Sequence, residues 1–359
     1  MSSPPSRFAL RWPRTFRRSR FLAHAVPPAV GTLALCILFT STLVAQSRLD
    51  LVRKRGALVC GVTPGVRGFA DVDDRGQYSG LDVDVCRALA AAIFGKADKV
   101  RFVAAGTVDV FLKSTEVDLV SRRLTWSLQR EGLGLLFGPV TFYDGQGFMV
   151  PRALKIKTPR ELADARICIV PGTVTDYNLN TYFQSRGLAF RKVSLRSHDQ
   201  VEGEFAAGRC DALTADLSEL GSIRSRMTKR DAFEILPELI SKEPMAPIVR
   251  QGDDQFFNIL RWTVFALIAA EELGITSANV QAKSGSADLD VKRFLGVVPG
   301  NGRALGLDEA WAANVIKAVG NYGEIFERNV GMQSPIQFER GLNGLWTDRG
   351  LMYAPLLRQ

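Results

Sequence analysis

Histidine is almost missing from this chain: His24 and His198 are the only two in 359 residues. Cysteine is scarce as well, five in all, and no two stand in a CxxC spacing. Zinc and redox centres need clustered soft donors, so no metal site and no cofactor are expected. Acid is absent before residue 48, a stretch that holds Arg7, Arg11, Arg14, Arg17, Arg18 and Arg20. The formal charge of +9 falls to about +3 without those six arginines. The positive excess therefore belongs to the N-terminal segment. The remaining basic residues are not interleaved with aromatics, so no nucleic-acid partner is expected. Beyond residue 47 there is also no long apolar run: the nine residues from Trp262 to Ala270 are the centre of one helical stretch, too short to cross a bilayer.

What the first 47 residues do hold is a targeting pattern. The arginines end at Arg20, and from Phe21 to Ser47 only His24 can carry charge. An apolar centre from Ala29 to Ala45 leads to Ala45-Gln-Ser47, a small-x-small cleavage site that makes Arg48 the first mature residue. The alternative is an uncleaved anchor through residues 21–47, because a charge-free stretch of that length can span a membrane. The rest is ordinary globular composition, 46% apolar and 23% charged. It is long enough to divide into two lobes.

Order begins with Gly80-Leu-Asp-Val-Asp-Val-Cys-Arg-Ala-Leu-Ala-Ala-Ala-Ile93. Leu81, Val85, Leu89 and Ile93 recur at a helical interval, and Asp82 complements the first turn. With the apolar run over 57–62 before it, this reads as strand, polar excursion and acid-capped helix over 82–94. Strands at 100–103, 118–121, 166–170, 189–193 and 210–215 alternate with helices near 107–114, 158–163, 175–186, 197–207 and 217–228. Extended stretches at 145–150 and 243–250 read as two crossovers. A helix over 253–273 follows, and the tail carries one helix near 308–329. The expected fold class is α/β, a two-lobed clamshell in which the second lobe is inserted into the first through two crossover hinge strands. Ligands in such folds lie at the carboxyl ends of strands, between loops that face each other.

Residues 80–93 match, position by position, the pattern of the polar amino-acid solute-binding proteins, the family 3 extracellular receptors of ABC importers. Within that family the chain resembles the general L-amino-acid-binding proteins, through stretches at 143–150, 240–244, 249–255 and 261–275. The resemblance runs from Leu49 to the C-terminus. It implies a type II periplasmic-binding-protein clamshell, with lobe 1 formed by residues 48–145 and 248–359 and lobe 2 by 146–247. It also implies a periplasmic monomer that binds an L-amino acid, serves an inner-membrane ABC permease and is not an enzyme. Two alternatives stand beside it: a dehydratase-like enzyme on the same scaffold, and a membrane-tethered sensor if residues 21–47 remain attached.

An α-amino acid needs a guanidinium and N–H groups for its carboxylate, and a carboxylate for its ammonium. Thr125 and Arg130 are five apart across a turn that enters a helix, and the resemblance implies that both grip the ligand. Pro171-Gly-Thr-Val-Thr175 precedes a helix, so the amides of Thr173 and Val174 are candidates for an anion. Asp216 ends a strand and is the candidate for the ammonium, with capping of helix 217–228 as the other reading. Phe69 is the candidate aromatic wall, a core position being its alternative, and Trp126 ranks below it. The resembling proteins read Arg-Asn-Thr-Thr-Trp-Thr where this chain reads Arg122-Arg-Leu-Thr-Trp-Ser127. Arg123 thus adds a second guanidinium to the pocket, able to repel an ammonium or attract an acidic side chain. Asp82, Asp84 and Asp211 read as structural. With Cys36 in the targeting segment, four cysteines remain and three connectivities are open. The expected one is Cys60–Cys86, joining a strand to the helix packed on it, and Cys168–Cys210, joining the starts of two strands.

Overall fold

A computed structural model describes residues 47–357, apart from the side chains of His198 and Asp199. All of the targeting segment except Ser47 lies outside the described residues. Ser47 is the N-cap of a helix the sequence reading did not anticipate, Arg48–Arg55, where its hydroxyl accepts from the Asp50 amide at 3.1 Å.

Two five-stranded sheets organise the chain. In spatial order the first runs Val100–Ala104, Leu58–Val62, Leu119–Val120, Ile248–Arg250 and Leu135–Phe137. Its first three strands are parallel, and Ile248–Arg250 returns antiparallel from the far side of the inserted block. The second sheet runs Arg191–Ser194, Arg166–Ile169, Ala212–Asp216, Gln146–Pro151 and Phe233–Ile235. Here too the β-α-β steps are parallel, while Gln146–Pro151 lies antiparallel to Ala212–Asp216. These are the two lobes of the clamshell. Between them Phe142–Asp144 pairs antiparallel with Glu243–Met245, so the two crossovers are bonded to each other. That pair sits three residues earlier than the expected first crossover at 145–150, which already belongs to the second sheet.

Helix Leu81–Phe94 is the centre of lobe 1. Eleven of its 14 residues are buried, which only helices packed on its outer face can achieve. Trp311–Val319 and Asp254–Glu272 supply that cover. Asp84, buried inside the layer, holds Arg87, Arg328 and Asn329, consistent with its structural reading. The expected single helix near 308–329 is two, Trp311–Val319 and Tyr322–Asn329. The break is local: Gly320 takes φ 82°, and Asn321 with Glu324 forms a capping box that starts the second helix. Short helices Leu289–Phe294 and Asn301–Leu305 also went unanticipated, and the helix near 158–163 is a 3-10 turn, Pro159–Leu162.

Cys60 is bonded to Cys86 and Cys168 to Cys210, with Cα atoms 6.2 and 5.7 Å apart, one disulfide in each lobe. The pairing is the one expected. The C-terminal stretch beyond Asn329 forms a strap over the hinge. Asn343 accepts from the Tyr143 amide at 2.7 Å and donates to the Tyr143 carbonyl at 3.1 Å, so one side chain completes the free edge of a hinge strand. Earlier in the strap, Phe338 lies against Gly221 of lobe 2, and Arg224 of lobe 2 donates to the Ile336 carbonyl at 2.8 Å. Among the described residues no helix is long and apolar enough to cross a membrane.

Candidate functional site

The loop after Leu119–Val120 forms the lobe 1 wall of the cleft. It is held in place by the second crossover: Thr125 bridges Met245, Trp126 donates to the Pro244 carbonyl at 2.8 Å, and Ala246 donates to the Leu124 carbonyl at 3.1 Å. Leu124, where the resembling proteins carry Thr, is buried among Phe111, Val120, Leu135 and Phe137. Its side chain therefore packs the wall from behind. The Arg130 guanidinium donates to the Thr125 carbonyl at 2.6 Å and forms no ion pair among the described residues. The Thr125 hydroxyl is likewise uncommitted. One arm of the guanidinium is thus fixed to the wall while its remaining donors stay open, the arrangement a carboxylate needs.

Arg123 behaves differently from the expectation. Its backbone is left-handed, φ 55°, a conformation Asn tolerates better than Arg. Its guanidinium crosses to lobe 2, donating to the Ser218 hydroxyl at 2.8 Å and to Glu219 at 3.1 Å, and it lies 5.4 Å over the Phe69 ring. Both terminal nitrogens are therefore occupied by the protein itself. Phe69 is completely buried and meets Phe142 edge-on at 5.1 Å. It is a core aromatic with no face left for a ligand, which corrects the wall assignment. Trp126 is the aromatic with open surface. It is 40% exposed, stacked on Phe137 at 5.7 Å and anchored through its indole N–H to Glu131.

Lobe 2 supplies the opposite wall. Asp216 ends strand Ala212–Asp216 and occupies the N-cap position of helix Leu217–Arg226, yet its side chain makes no capping bond. The capping is done from the hinge instead. Asp144, 3% exposed, accepts from the Ser218 amide with both oxygens at 3.3 Å and from the Gly145 amide at 2.8 Å. Among the described residues the half-buried Asp216 carboxylate has no hydrogen-bond or ion-pair partner. Burial pushes its carboxyl up to about 6, helped by the charges of Glu243 and Glu219 and opposed by Arg123 and Arg130. Burial, then the charge of Asp216, pushes Asp144 up to about 7. A desolvated carboxylate facing guanidiniums but bonded to none is suited to an ammonium.

Thr173 caps helix Val174–Gln184: its hydroxyl accepts from the Asp176 amide at 3.1 Å and donates to the Val170 carbonyl at 2.9 Å. Its hydroxyl is thus spent locally, and Gly172, at φ 76°, gives its amide to Asp176. Among the described residues the Thr173 and Val174 amides at the helix start have no acceptor. Gln146 ties this end to the Asp216 strand through the Thr175 carbonyl and the Thr214 hydroxyl, both at 3.0 Å. Asp211 accepts from the Arg166 backbone and side chain and is structural, as expected. The sequence reading passed over Asp144 and Glu219. Asp144 stands in the resembling stretch 143–150, but its part in the site depends on a cap contributed from another segment. No group of His, Cys, Asp and Glu able to hold a metal exists among the described residues.

Comparison with known proteins places these features in a lineage. The profile of the bacterial extracellular solute-binding proteins, family 3, matches residues 58–278. A general L-amino acid-binding periplasmic protein, AapJ of Rhizobium johnstonii, is 47% identical over 335 residues, covering 92% of this chain and 98% of the relative. The glutamate/glutamine/aspartate/asparagine-binding protein BztA of Rhodobacter capsulatus is 43% identical over 332 residues, covering 91% and 98%. Among solved structures, an ABC transporter periplasmic binding protein from Brucella ovis with glutathione bound superposes with a TM-score of 0.81. It has 43% identity and covers 87% of this chain and all of that one.

Proposed function

Because the chain belongs to the bacterial extracellular solute-binding proteins of family 3, we propose that it captures an L-amino acid between its lobes and delivers it to an ABC permease in the inner membrane. The observation that carries this reading is Asp216. A half-buried carboxylate, relieved of helix capping by Asp144, stands opposite a guanidinium with open donors on Arg130. These are complementary ends for a zwitterion. The Thr125 hydroxyl and the Thr173 and Val174 amides add neutral contacts to the carboxylate. Trp126 offers the ligand's side chain an aromatic surface, and Arg123 ties the walls together.

In this reading lobe 1 comprises residues 48–145 and 248–359 and lobe 2 residues 146–247. Closure turns about the paired strands Phe142–Asp144 and Glu243–Met245. The receptor works as a periplasmic monomer, exported and cut after Ser47. The Arg48 backbone nitrogen lies 2.5 Å from the Asp253 carboxylate, so an α-ammonium created at that position meets an anion. Capture and release require no bond to be made or broken.

The deciding experiment is calorimetry on the purified chain, freed of carried-over ligand by unfolding and refolding, against the twenty L-amino acids. Micromolar or tighter binding to one or more of them is expected. Failure to bind any would overturn the reading. Arg130→Ala should cost about 2–5 kcal/mol of binding, the scale for removing one partner of a desolvated charge pair, and unchanged affinity would remove Arg130 from the site.

A further inference from the structure

Arg123 combines a costly backbone with a well-held side chain. Its φ of 55° lies in the left-handed region, where Asn or Gly sits at less cost than Arg. Strain that a fold retains at one residue points to work done by that residue. The Arg123 side chain, 14% exposed, leaves the lobe 1 wall and ends on the first turn of helix Leu217–Arg226 in lobe 2. There it donates to the Ser218 hydroxyl at 2.8 Å and to Glu219 at 3.1 Å, with its guanidinium over the buried Phe69 ring. Ser218 is itself fully buried, and its amide is held by Asp144 of the hinge. One serine thus receives the hinge through its backbone and the lobe 1 wall through its hydroxyl. Other bonds across the boundary, Arg67 to Ser222 and Ser225 and Arg224 to Ile336, end on neutral groups. Arg123 to Glu219 is an ion pair, and its two ends stand next in the chain to the facing walls of the cleft, marked by Thr125 and Asp216. Each of these bonds runs from protein to protein, so none waits on a ligand.

Building on the amino-acid reading, we propose that Arg123 is a latch that holds the lobe 1 wall against helix Leu217–Arg226 whether or not the cleft is filled. Arg123 positions the two walls and does not touch the ligand. It favours the closed form of the empty and the filled receptor by the same factor. Few empty receptors then stand open, and a captured amino acid leaves only after the Arg123 bonds to lobe 2 are broken. Slow release is accordingly a property of the receptor, common to every amino acid it accepts, rather than of one ligand's contacts.

The test uses Arg123→Asn, which suits the left-handed backbone and removes the donors to lobe 2, Glu219→Ala, and the two combined. Small-angle X-ray scattering on the refolded, ligand-free chain reads closure without any ligand. The unaltered chain is expected to show the radius of gyration of the closed structure when empty, and Arg123→Asn a larger one that returns to the closed value at saturating amino acid. Stopped-flow displacement is expected to show each bound amino acid leaving Arg123→Asn at least tenfold faster, by the same factor for each. Glu219→Ala is expected to speed release in the unaltered background and to add nothing in Arg123→Asn, because the two residues share one interaction. An empty unaltered chain that scatters as open, unchanged release from Arg123→Asn, or a factor that differs more than threefold between amino acids would each overturn the latch while leaving amino-acid capture standing. If no amino acid binds, the capture reading falls, and scattering from the empty chain and from empty Arg123→Asn still decides whether the lobes are latched. Should Arg123→Asn fail to fold, Glu219→Ala carries both measurements.

Discussion

Asp144 and Asp216 divide two tasks that one residue often combines. By capping helix Leu217–Arg226 from the hinge, Asp144 frees Asp216 for the cleft. Asp216→Ala should therefore weaken amino-acid binding by about 2–5 kcal/mol while leaving the melting temperature of the ligand-free protein nearly unchanged. A large fall in that temperature would return Asp216 to a capping role. The two acids also set opposite responses to pH. The Asp216 carboxyl, at about 6, must be ionised to hold an ammonium; it is faced by Glu243, Glu219, Asp144, Arg123 and Arg130. Affinity should be flat above pH 7 and fall about tenfold by pH 5. Stability should run the other way. Asp82, Asp144 and Asp216 are all raised above their unfolded values, so the folded state holds more protons between roughly pH 4 and 7 and loses stability as pH rises through that window. The depressed carboxyls, Asp176 and Asp211 among them, act only below about pH 4. The ligand-free protein should thus melt higher at pH 5.5 than at 7.5. Asp144→Asn should remove about 2 kcal/mol of that difference, as read by thermal scans at the two pH values.

Helix Leu217–Arg226 meets more of the molecule than its length suggests. Arg67 of lobe 1 donates its amide to the Ser222 hydroxyl at 3.0 Å and its guanidinium to the Ser225 carbonyl at 3.1 Å. A Cβ at Gly221 would overlap the Phe338 ring of the strap. Gly221→Ala should accordingly destabilise the protein by about 1–3 kcal/mol, against the small gain an exposed helical Gly→Ala gives; denaturant unfolding measures the sign. Elements of this kind mark where the sequence could be read and where it could not. Helix 82–94 and the alternation of strands and helices were legible because period and breakers agree over long stretches. The break at Gly320 was legible in principle, since Asn321 and Glu324 carry the capping-box spacing, but apolar periodicity on both sides conceals it. The strap was not legible, because it has no period of its own and is defined by what it touches. Within the candidate site, Asp216 stood out as an acid at a strand end, and Thr125 and Arg130 through the resemblance carried by the turn between them. The depth of Phe69 and the direction of Arg123 depend on neighbours distant in the chain.

At the scale of the whole molecule the lobes are joined by more than two strands. Arg123 to Glu219, Arg67 to the Ser225 end of the helix, and Arg224 to the strap each span the boundary. A ligand bridging Arg130 and Asp216 adds to existing ties, so capture should register as stabilisation. At one hundred times its dissociation constant an amino acid should stabilise the chain by about 2.7 kcal/mol, raising the melting temperature by a few degrees. A ligand that binds by calorimetry without raising it would indicate engagement of one lobe only. The disulfides have a different bearing, because their partners are consecutive. Cys60 and Cys86 are 26 residues apart, Cys168 and Cys210 are 42, and neither bond crosses between lobes. A chain threaded from its N-terminus into an oxidising compartment exposes Cys60 and Cys86 before Cys168 arrives. Oxidation in order of emergence therefore makes only native bonds, and maturation of this receptor should proceed without a disulfide isomerase to correct it.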